Sequence, residues 1–248
     1  LTASNPKTRK GEKQNYLTAI LHLAPADLSG RNVCQYANAC KAPCLNTAGR
    51  GGTFRPGENS NAIQRARIKR THLFFANRPA FDDAMAHDLE ALQTVAHYHG
   101  MHPACRMNGT SDLPWERIAH RKFLPSIMAA YPAVRFYDYT KHPIATRSTD
   151  GPNIGYSQPY HLTYSLDVGR ELEANKALAH GVNVAVVFST PKREELPLYY
   201  QIAGKTWPVI DGDLSDLRFL DPTPCIVGLR AKGEARHDTS GFVRSPVP

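Results

Sequence analysis

Length, composition and charge exclude several classes of protein. The chain has 248 residues, 42% of them hydrophobic, which suits a single domain with a sizeable core over residues 1–248. No apolar run approaches the roughly 20 residues of a membrane span. The polar, basic residues 1–13 lack the apolar stretch of a secretion signal. We therefore expect a protein of the reducing cytoplasm with no membrane partner.

The net charge of +8 leaves nucleic acid open as a partner. The basic residues are spread along the chain, however, and the densest run, at residues 64–70, has the periodicity of the solvated face of a helix. A small-molecule substrate is therefore the favoured partner, and nucleic acid is the alternative.

Apolar stretches alternate with helical patterns along the chain. Tyr16–Leu23 is predicted to be the first strand, and a cysteine-rich loop follows at residues 30–52. Further strands are predicted at Ala104–Met107, Val134–Tyr139, His161–Ser165, Val182–Phe188, Val209–Ile210 and Cys225–Leu229. Helices are predicted over Ala62–Ala76, Pro79–His99, Pro114–Ala130, with Ser111 or Asp112 as its N-cap, and Val168–His180, which Gly181 stops.

This alternation predicts a single α/β domain with a mainly parallel sheet. The number of strands favours a partial or distorted β/α barrel, similar to a TIM barrel, over a flat nucleotide-binding sheet. In such folds the chemistry gathers at the carboxyl ends of the strands.

Three cysteines lie close together in the loop after the first strand, at Cys34, Cys40 and Cys44. Thiolates so close in sequence can converge on one metal centre. A closed zinc site takes four ligands, usually as two closely spaced pairs, and no second pair is present. Three thiolates with one open position suit a 4Fe-4S cluster better. The spacing is also consistent with three reduced thiols, or with a disulfide and a spare thiol.

The other two cysteines are predicted to be core residues. Cys105 lies near the start of its strand, well below the carboxyl end, and Cys225 begins a strand. A free cysteine packs well as a small apolar residue. The fourth position of the cluster is therefore open to solvent or substrate, or is filled by a histidine or a carboxylate.

Polar side chains follow several of the predicted strands. The candidate catalytic residues are Asp112 after the second strand, Asp138 and Lys141 at the end of the third, and His22 in the first. Each has a structural alternative: a helix cap for Asp112, a solvated ion pair for Asp138 with Lys141, and a core histidine for His22. Further polar residues expected at this edge are Asn108, Thr110, Ser111, Tyr139, Thr140, Ser165, Asp167, Asp211, Asp213 and Asp216.

Six blocks along the chain resemble a known family. They are YLTAILHLAPA (16–26), SGRNVC (29–34), CLNTAGRG (44–51), RMNGTSD (106–112), YDYTK (137–141) and DGD (211–213). With these blocks in this order, the chain resembles the phage gene product 88 family over nearly its whole length. The resemblance implies a phage-encoded protein inside the host cell, with an iron–sulfur site at Cys34, Cys40 and Cys44.

A weaker resemblance, at the level of the fold, is to radical S-adenosylmethionine enzymes. In that class three cysteines after the first strand of a partial β/α barrel hold the cluster. Their usual spacing is Cys-x3-Cys-x2-Cys, whereas five and three residues intervene here, and residues 108–114 replace their Gly-Gly-Glu-Pro segment. S-adenosylmethionine is therefore an alternative cofactor and not the favoured one.

The favoured functional hypothesis is a metalloenzyme whose non-cysteine iron acts as a Lewis acid in the hydrolysis of an ester or acyl substrate. Ser111 and Ser165 lack the Gly-x-Ser-x-Gly motif, so a serine triad is not expected. The alternatives are a radical S-adenosylmethionine-like enzyme, a non-enzymatic redox module, and a nucleic-acid-binding phage protein with a structural cluster. Convergence of polar side chains from several strands favours an enzyme, because a carrier does not need them.

Overall fold

The computed structural model of the protein describes residues 1–3, 10–54, 58–118, 126–147 and 160–246. These residues form a mixed α/β structure around one sheet of nine strands. The strands are β1 Tyr16–Ile20, β2 His102–Arg106, β3 Arg135–Thr140, β4 Tyr160–Ser165, β5 Val184–Phe188, β6 Tyr199–Ile202, β7 Lys205–Asp211, β8 Ile226–Arg230 and β9 Val243–Arg244. The helices are α1 Ala62–Ala76, α2 Arg78–Tyr98, α3 Ile127–Ala130 and α4 Glu171–Ala179.

The sheet has the strand order β1-β2-β3-β4-β5-β8-β7-β6. The first five strands are neighbours in chain order and are parallel. β8 and β7 extend the sheet in parallel, and β6 is antiparallel to β7 at the edge. The predicted α/β class with a mainly parallel sheet is therefore confirmed. The barrel is not confirmed, because within the described part of the chain β1 and β6 lie at opposite ends of the strand order.

The short strand β9 extends one edge of β5. β5 pairs with β8 along its whole length, with β4 at Val184 and Ala185, and with β9 at Val187 and Phe188. Since β8 occupies one edge of β5, β4 and β9 share the other edge. β4 ends at Ser165, opposite Ala185, and β9 takes its place along the rest of β5.

The two faces of the sheet are covered differently, because alternate side chains of a strand point to opposite faces. On the helical face, apolar residues of α1, α2 and α4 pack against apolar residues of the strands. The helices contribute Phe74, Leu89 and Leu178, and the strands contribute Cys105, Phe136 and Val186. The opposite face, which we call the inner face, is covered by the segment of residues 214–221, where Leu217 packs on Ala104 and Tyr137. The core therefore lies mainly between the sheet and the helices.

Most of the predicted elements are confirmed with shifts of a few residues. α1 has the predicted bounds, because the Asn61 side chain caps it by accepting a hydrogen bond from Gln64 N at 2.9 Å. Both isolated cysteines are buried as predicted, Cys105 in the helical core and Cys225 beside Val227. The strands β6 and β9 were not predicted.

The helix predicted over Pro114–Ala130 is wrong at residues 114–118 and is confirmed only at Ile127–Ala130. The chain forms a short 3-10 turn at Trp115–Arg117, Ile118 is extended, and α3 is a single turn capped by Ser126; residues 119–125 lie outside the described part. Tertiary contacts explain the difference, because the fully buried Trp115 stacks near Phe81 and donates to Asn108 Oδ1 at 3.1 Å. Neither Ser111 nor Asp112 caps a helix.

Candidate functional site

The first part of the cysteine loop lies against the segment that follows β2. Cys34 Sγ accepts a hydrogen bond from Ala26 N at 3.4 Å and lies 4.0 Å from Thr110 O. Asp112 N donates to Val33 O at 2.8 Å. These contacts hold the Cys34 thiol at the carboxyl end of β1 and β2, where the sequence predicted it.

The other two thiols, Cys40 and Cys44, lie within electrostatic range of Lys141, which follows β3. Burial raises the pKa of Cys40 to about 12, the Lys141 ammonium opposes this shift, and the Asp167 carboxylate adds to it. Burial also raises the pKa of Cys44, against the opposing charges of Arg67 and Lys141. The two thiols therefore share one cationic neighbour.

The Cys34 thiol belongs to the same neighbourhood. Burial raises its pKa to about 11, and the Asp112 carboxylate and the Cys44 thiolate add to the shift. All three thiols are therefore protonated at neutral pH in the absence of a metal. A thiol must lose its proton to bind a metal, so metal binding at these residues releases protons.

Lys141 is held in place by the end of β4. Its Nζ donates to Ser165 Oγ at 3.1 Å and to Ser165 O at 3.3 Å, and it lies 3.5 Å from Asp167 Oδ2. The ring of Phe242, just before β9, covers the ammonium at 4.8 Å. The predicted residues Lys141, Ser165 and Asp167 are thus brought together beside the thiols.

Asp112 reaches the same place from the end of β2. Its Oδ2 accepts from Lys141 N at 2.7 Å, and its Oδ1 lies 3.3 Å from Arg147 Nη1. The Arg147 side chain is fully buried, and its Nε also donates to Glu116 Oε1 at 2.7 Å. Asp112 therefore orients the backbone of Lys141 and is itself fixed by a buried cation.

Asp138 lies apart from the thiols, on the helical face. It is completely buried and accepts hydrogen bonds from Asn108 N at 2.7 Å and from Tyr160 Oη at 2.9 Å. Burial raises its pKa to about 7, against the charge of Arg106 and these hydrogen bonds. This carboxylate connects β2, β3 and β4 and does not face the same space as Lys141.

His22 follows β1 and packs against Gly109. A Cβ atom at Gly109 would lie 2.5 Å from His22 Nδ1 and 2.6 Å from Ile20 Cγ2, so only glycine allows this close approach. The backbone carbonyl of His22 accepts a hydrogen bond from the Arg70 guanidinium of α1. His22 is thus placed at the carboxyl end of β1, with its ring against the turn that follows β2.

The three aspartates predicted from the last strands do not join the thiols. Asp211 and Asp213 form ion pairs with Arg230 Nη1 at 2.8 and 3.3 Å, at the end of β7 and β8. Asp216 lies on the inner face, 3.5 Å from Arg106 Nη1. Ion pairing with arginines of neighbouring strands fixes them there.

A single zinc ion and a 4Fe-4S cluster place different demands on the three cysteine thiols. In the described residues, no group of three or more His, Cys, Asp or Glu side chains is close enough to hold a metal ion. The thiols therefore do not form a ready site for a single zinc ion. In a 4Fe-4S cluster each thiolate binds a different iron atom, so the thiolates need not meet at one point. Such a cluster would draw on the three half-buried thiols of this loop, of which Asp112 acts on Cys34 and Lys141 on Cys40 and Cys44.

Sequence reasoning missed the buried arginines Arg106, Arg147 and Arg218, and it missed Phe242. An isolated arginine carries no periodic signal, and a charged residue is expected at the surface. Only the pairing of strands shows that these side chains point inward.

The arrangement defines an α/β protein with a thiol-rich site at the carboxyl edge of a mainly parallel sheet. A model of the family described as gene product 88 matches residues 1–246. The chain therefore belongs to the phage gene product 88 family. No curated protein and no solved structure matches it significantly. No helix of the described residues is long and apolar enough to cross a membrane.

Proposed function

We propose that the protein is an iron–sulfur metalloenzyme in which Cys34, Cys40 and Cys44 hold a 4Fe-4S cluster. One observation carries the proposal: three half-buried thiols of one loop lie at the carboxyl edge of the sheet, where Asp112 acts on Cys34 and Lys141 acts on Cys40 and Cys44. Burial makes free thiolates costly at these positions. A bound cationic metal centre offsets that cost.

The reaction that we assign is hydrolysis of an ester or acyl substrate. A cluster with three cysteine ligands supplies an iron that can act as a Lewis acid. The Lys141 ammonium, fixed by Ser165, is placed to orient an anionic or carbonyl oxygen. Asp112 and Asp167 are the carboxylates nearest the thiols and are proposed to accept protons. Asp138 is buried away from the thiols, so we assign it a structural role.

The first test is the composition of the protein purified without oxygen. We expect a brown protein with about four irons and matching sulfide per chain. Cys40→Ser should lose the iron, whereas Cys225→Ser should retain it, because Cys225 is buried and its Sγ lies 3.0 Å from Pro222 O, a partner that serine can keep. Stoichiometric zinc without sulfide, or full iron content in Cys40→Ser, would contradict the proposal.

A radical S-adenosylmethionine-like enzyme is the second candidate, and one observation favours it. The cysteine loop follows β1, and β1 to β5 are parallel neighbours in chain order, as the resemblance to that class implies. A chromogenic ester assay without reductant separates the two candidates. Turnover that depends on Cys40 supports hydrolysis, and 5′-deoxyadenosine formed from S-adenosylmethionine only with a strong reductant supports radical chemistry.

The proposal also assigns a place of action and a partner. Free thiols and the phage family favour the host cytoplasm, with a small molecule as the substrate. Nucleic acid remains the alternative partner because of the charge of +8.

A further inference from the structure

We infer that the inner face of the sheet binds a small oxyanion, a carboxylate or phosphate group, through Arg106, Arg218 and Thr163. If this oxyanion is part of the substrate of the proposed enzyme, that assignment rests on the proposed function. Binding of the oxyanion can itself be measured without the cluster.

Strand register places this face directly below Lys141. Tyr137 pairs with His161 and Tyr139 with Thr163 across β3 and β4. Two residues further along the two strands come Lys141 and Ser165, whose Nζ and Oγ atoms are 3.1 Å apart. Because alternate residues of a strand share a face, these side chains form one column on the inner face. The column ends at Lys141 and Ser165, on the side of the sheet where the cysteine loop lies.

Two buried arginines flank this column. Arg106, at the end of β2, is 4% exposed, and its guanidinium carbon lies 4.7 Å from the centre of the Tyr139 ring. Arg218, in the segment that covers the inner face, is 1% exposed and lowers the pKa of the same Tyr139, against the larger effect of burial. The Arg106 guanidinium therefore contacts the ring of Tyr139, which pairs with Thr163, and Arg218 acts electrostatically on the same tyrosine.

Each arginine is only partly satisfied by the protein. Arg106 Nη1 lies 3.5 Å from Asp216 Oδ2, and Arg218 Nη1 lies 3.2 Å from Asp221 Oδ2. The Nε atoms of both arginines have no hydrogen-bond partner in the described part of the chain, and neither does Thr163 Oγ1, although Thr163 is completely buried. Other buried atoms of the described residues also lack a partner, but Arg106, Arg218 and Thr163 all lie on the inner face, and their grouping there points to an occupant.

The chemistry of the unpartnered atoms selects the occupant. An arginine Nε can only donate, and a threonine hydroxyl can donate, so the occupant must accept several hydrogen bonds. Carboxylate and phosphate groups do this, and arginine binds them through two parallel hydrogen bonds. Asp216 and Asp221 each pair with one of the arginines, so only a few donors remain and they suit a small ion and not a polyanion.

The test is calorimetric titration of the purified full-length chain, with and without its cluster, using inorganic phosphate and succinate as probes. We expect saturable binding of one probe, and the probe that binds tells phosphate from carboxylate. Thr163→Val should weaken binding on the order of 10-fold, because one hydrogen bond is lost. It should also raise the melting temperature of the ligand-free protein, because it removes an unpartnered hydroxyl. Arg106→Lys removes the Nε donor and should abolish binding.

The matched control is Thr190→Val. Thr190 is also buried, and its hydroxyl also lacks a partner in the described residues, but it follows β5. This variant should raise the melting temperature and leave the affinity unchanged, and Thr163→Ser should keep the affinity. Failure of both probes to bind, or equal losses in the two valine variants, would overturn the inference. Binding to a chain that contains no iron would support it while the proposed function fails.

Discussion

Burial decides which role a carboxylate of this protein can have. Asp138 lies within β3 and Asp112 follows the neighbouring β2, but Asp138 is completely enclosed on the helical face, whereas Asp112 reaches Lys141. The pKa of Asp138 is raised from 3.8 to about 7, chiefly by burial. Between these two values the unfolded chain has an ionised Asp138 and the folded chain keeps the proton. Folding therefore takes up a proton, and this contribution to stability falls as the pH rises from about 4 to about 7.

Asp138→Asn is expected to remove this pH dependence. The amide keeps one oxygen that accepts from Asn108 N but lacks the second acceptor oxygen. The free energy of unfolding of the variant should therefore be lower by about 1–3 kcal/mol at pH 5. The difference from the wild type should narrow toward pH 8, as measured by urea unfolding at several pH values. Asp27→Asn is the control, because Asp27 is exposed and its pairing distance to Lys41 is 3.8 Å. A difference that stays constant with pH would contradict the assignment.

Lys141 is expected to control the reactivity of two of the three thiols. Its charge lowers the pKa of Cys40 and Cys44 against the effect of burial, but it is not among the groups that shift Cys34. Lys141→Met should therefore slow iodoacetamide alkylation of Cys40 and Cys44 at pH 9 by on the order of 3–10-fold. Peptide mapping by mass spectrometry gives the three rates separately. Lys141→Arg should keep them, and equal slowing at Cys34 would show that the loop has moved.

At the scale of elements, the sequence predicts what depends on local pattern. The strands β1 to β5 and the helices α1 and α2 follow from apolar periodicity, and the structure adds the caps at Asn61 and Asn77. The Pro114–Ala130 helix fails because the burial of Trp115 outweighs helix propensity. The two-residue strand β9 depends on the edge of β5 that is left free where β4 ends, which no local pattern records. The cysteine loop, by contrast, was recognised in the sequence, because its three cysteines lie close together within one local segment.

Strand β9 is expected to hold the C-terminal segment against the site. Arg244 Nη2 donates to Glu171 Oε1 at 2.7 Å, and Arg244 O accepts from Ser189 N at 2.9 Å. Arg244→Ala should lower the melting temperature by about 2–4 °C, and should speed hydrogen exchange in peptides that contain Ser189. Lys176→Ala breaks only the exposed Lys176–Glu173 pair and should change neither quantity. Unchanged exchange at Ser189 in Arg244→Ala would show that β9 is held by its backbone pairing alone.

In the whole molecule, the cysteine loop joins parts of the fold that are distant in sequence. Arg67 of α1 donates to Asn46 O at 3.2 Å, Cys34 Sγ lies 4.0 Å from Thr110 O after β2, and Asn38 N donates to Asp167 Oδ2 at 3.3 Å after β4. A group bound by the loop therefore stabilises contacts to one helix and two strands at once. Because ligand binding to the folded state adds to stability, loading the loop should stabilise the entire chain.

The stabilisation by loading is expected to depend on pH in a defined direction. Without a metal, burial holds the pKa of Cys34 at about 11 and that of Cys40 at about 12, so both thiols keep their protons throughout the range from pH 6.5 to 8.5. Loading displaces these protons, so each released proton favours the loaded form by about 1.4 kcal/mol per unit of rising pH. Anaerobic reconstitution with iron and sulfide should therefore give higher occupancy and a larger rise in melting temperature at pH 8.5 than at pH 6.5. Cys40→Ser should show neither trend, and Cys225→Ser should show both. Loading that is independent of pH, or equal in the two serine variants, would place the iron away from these thiols.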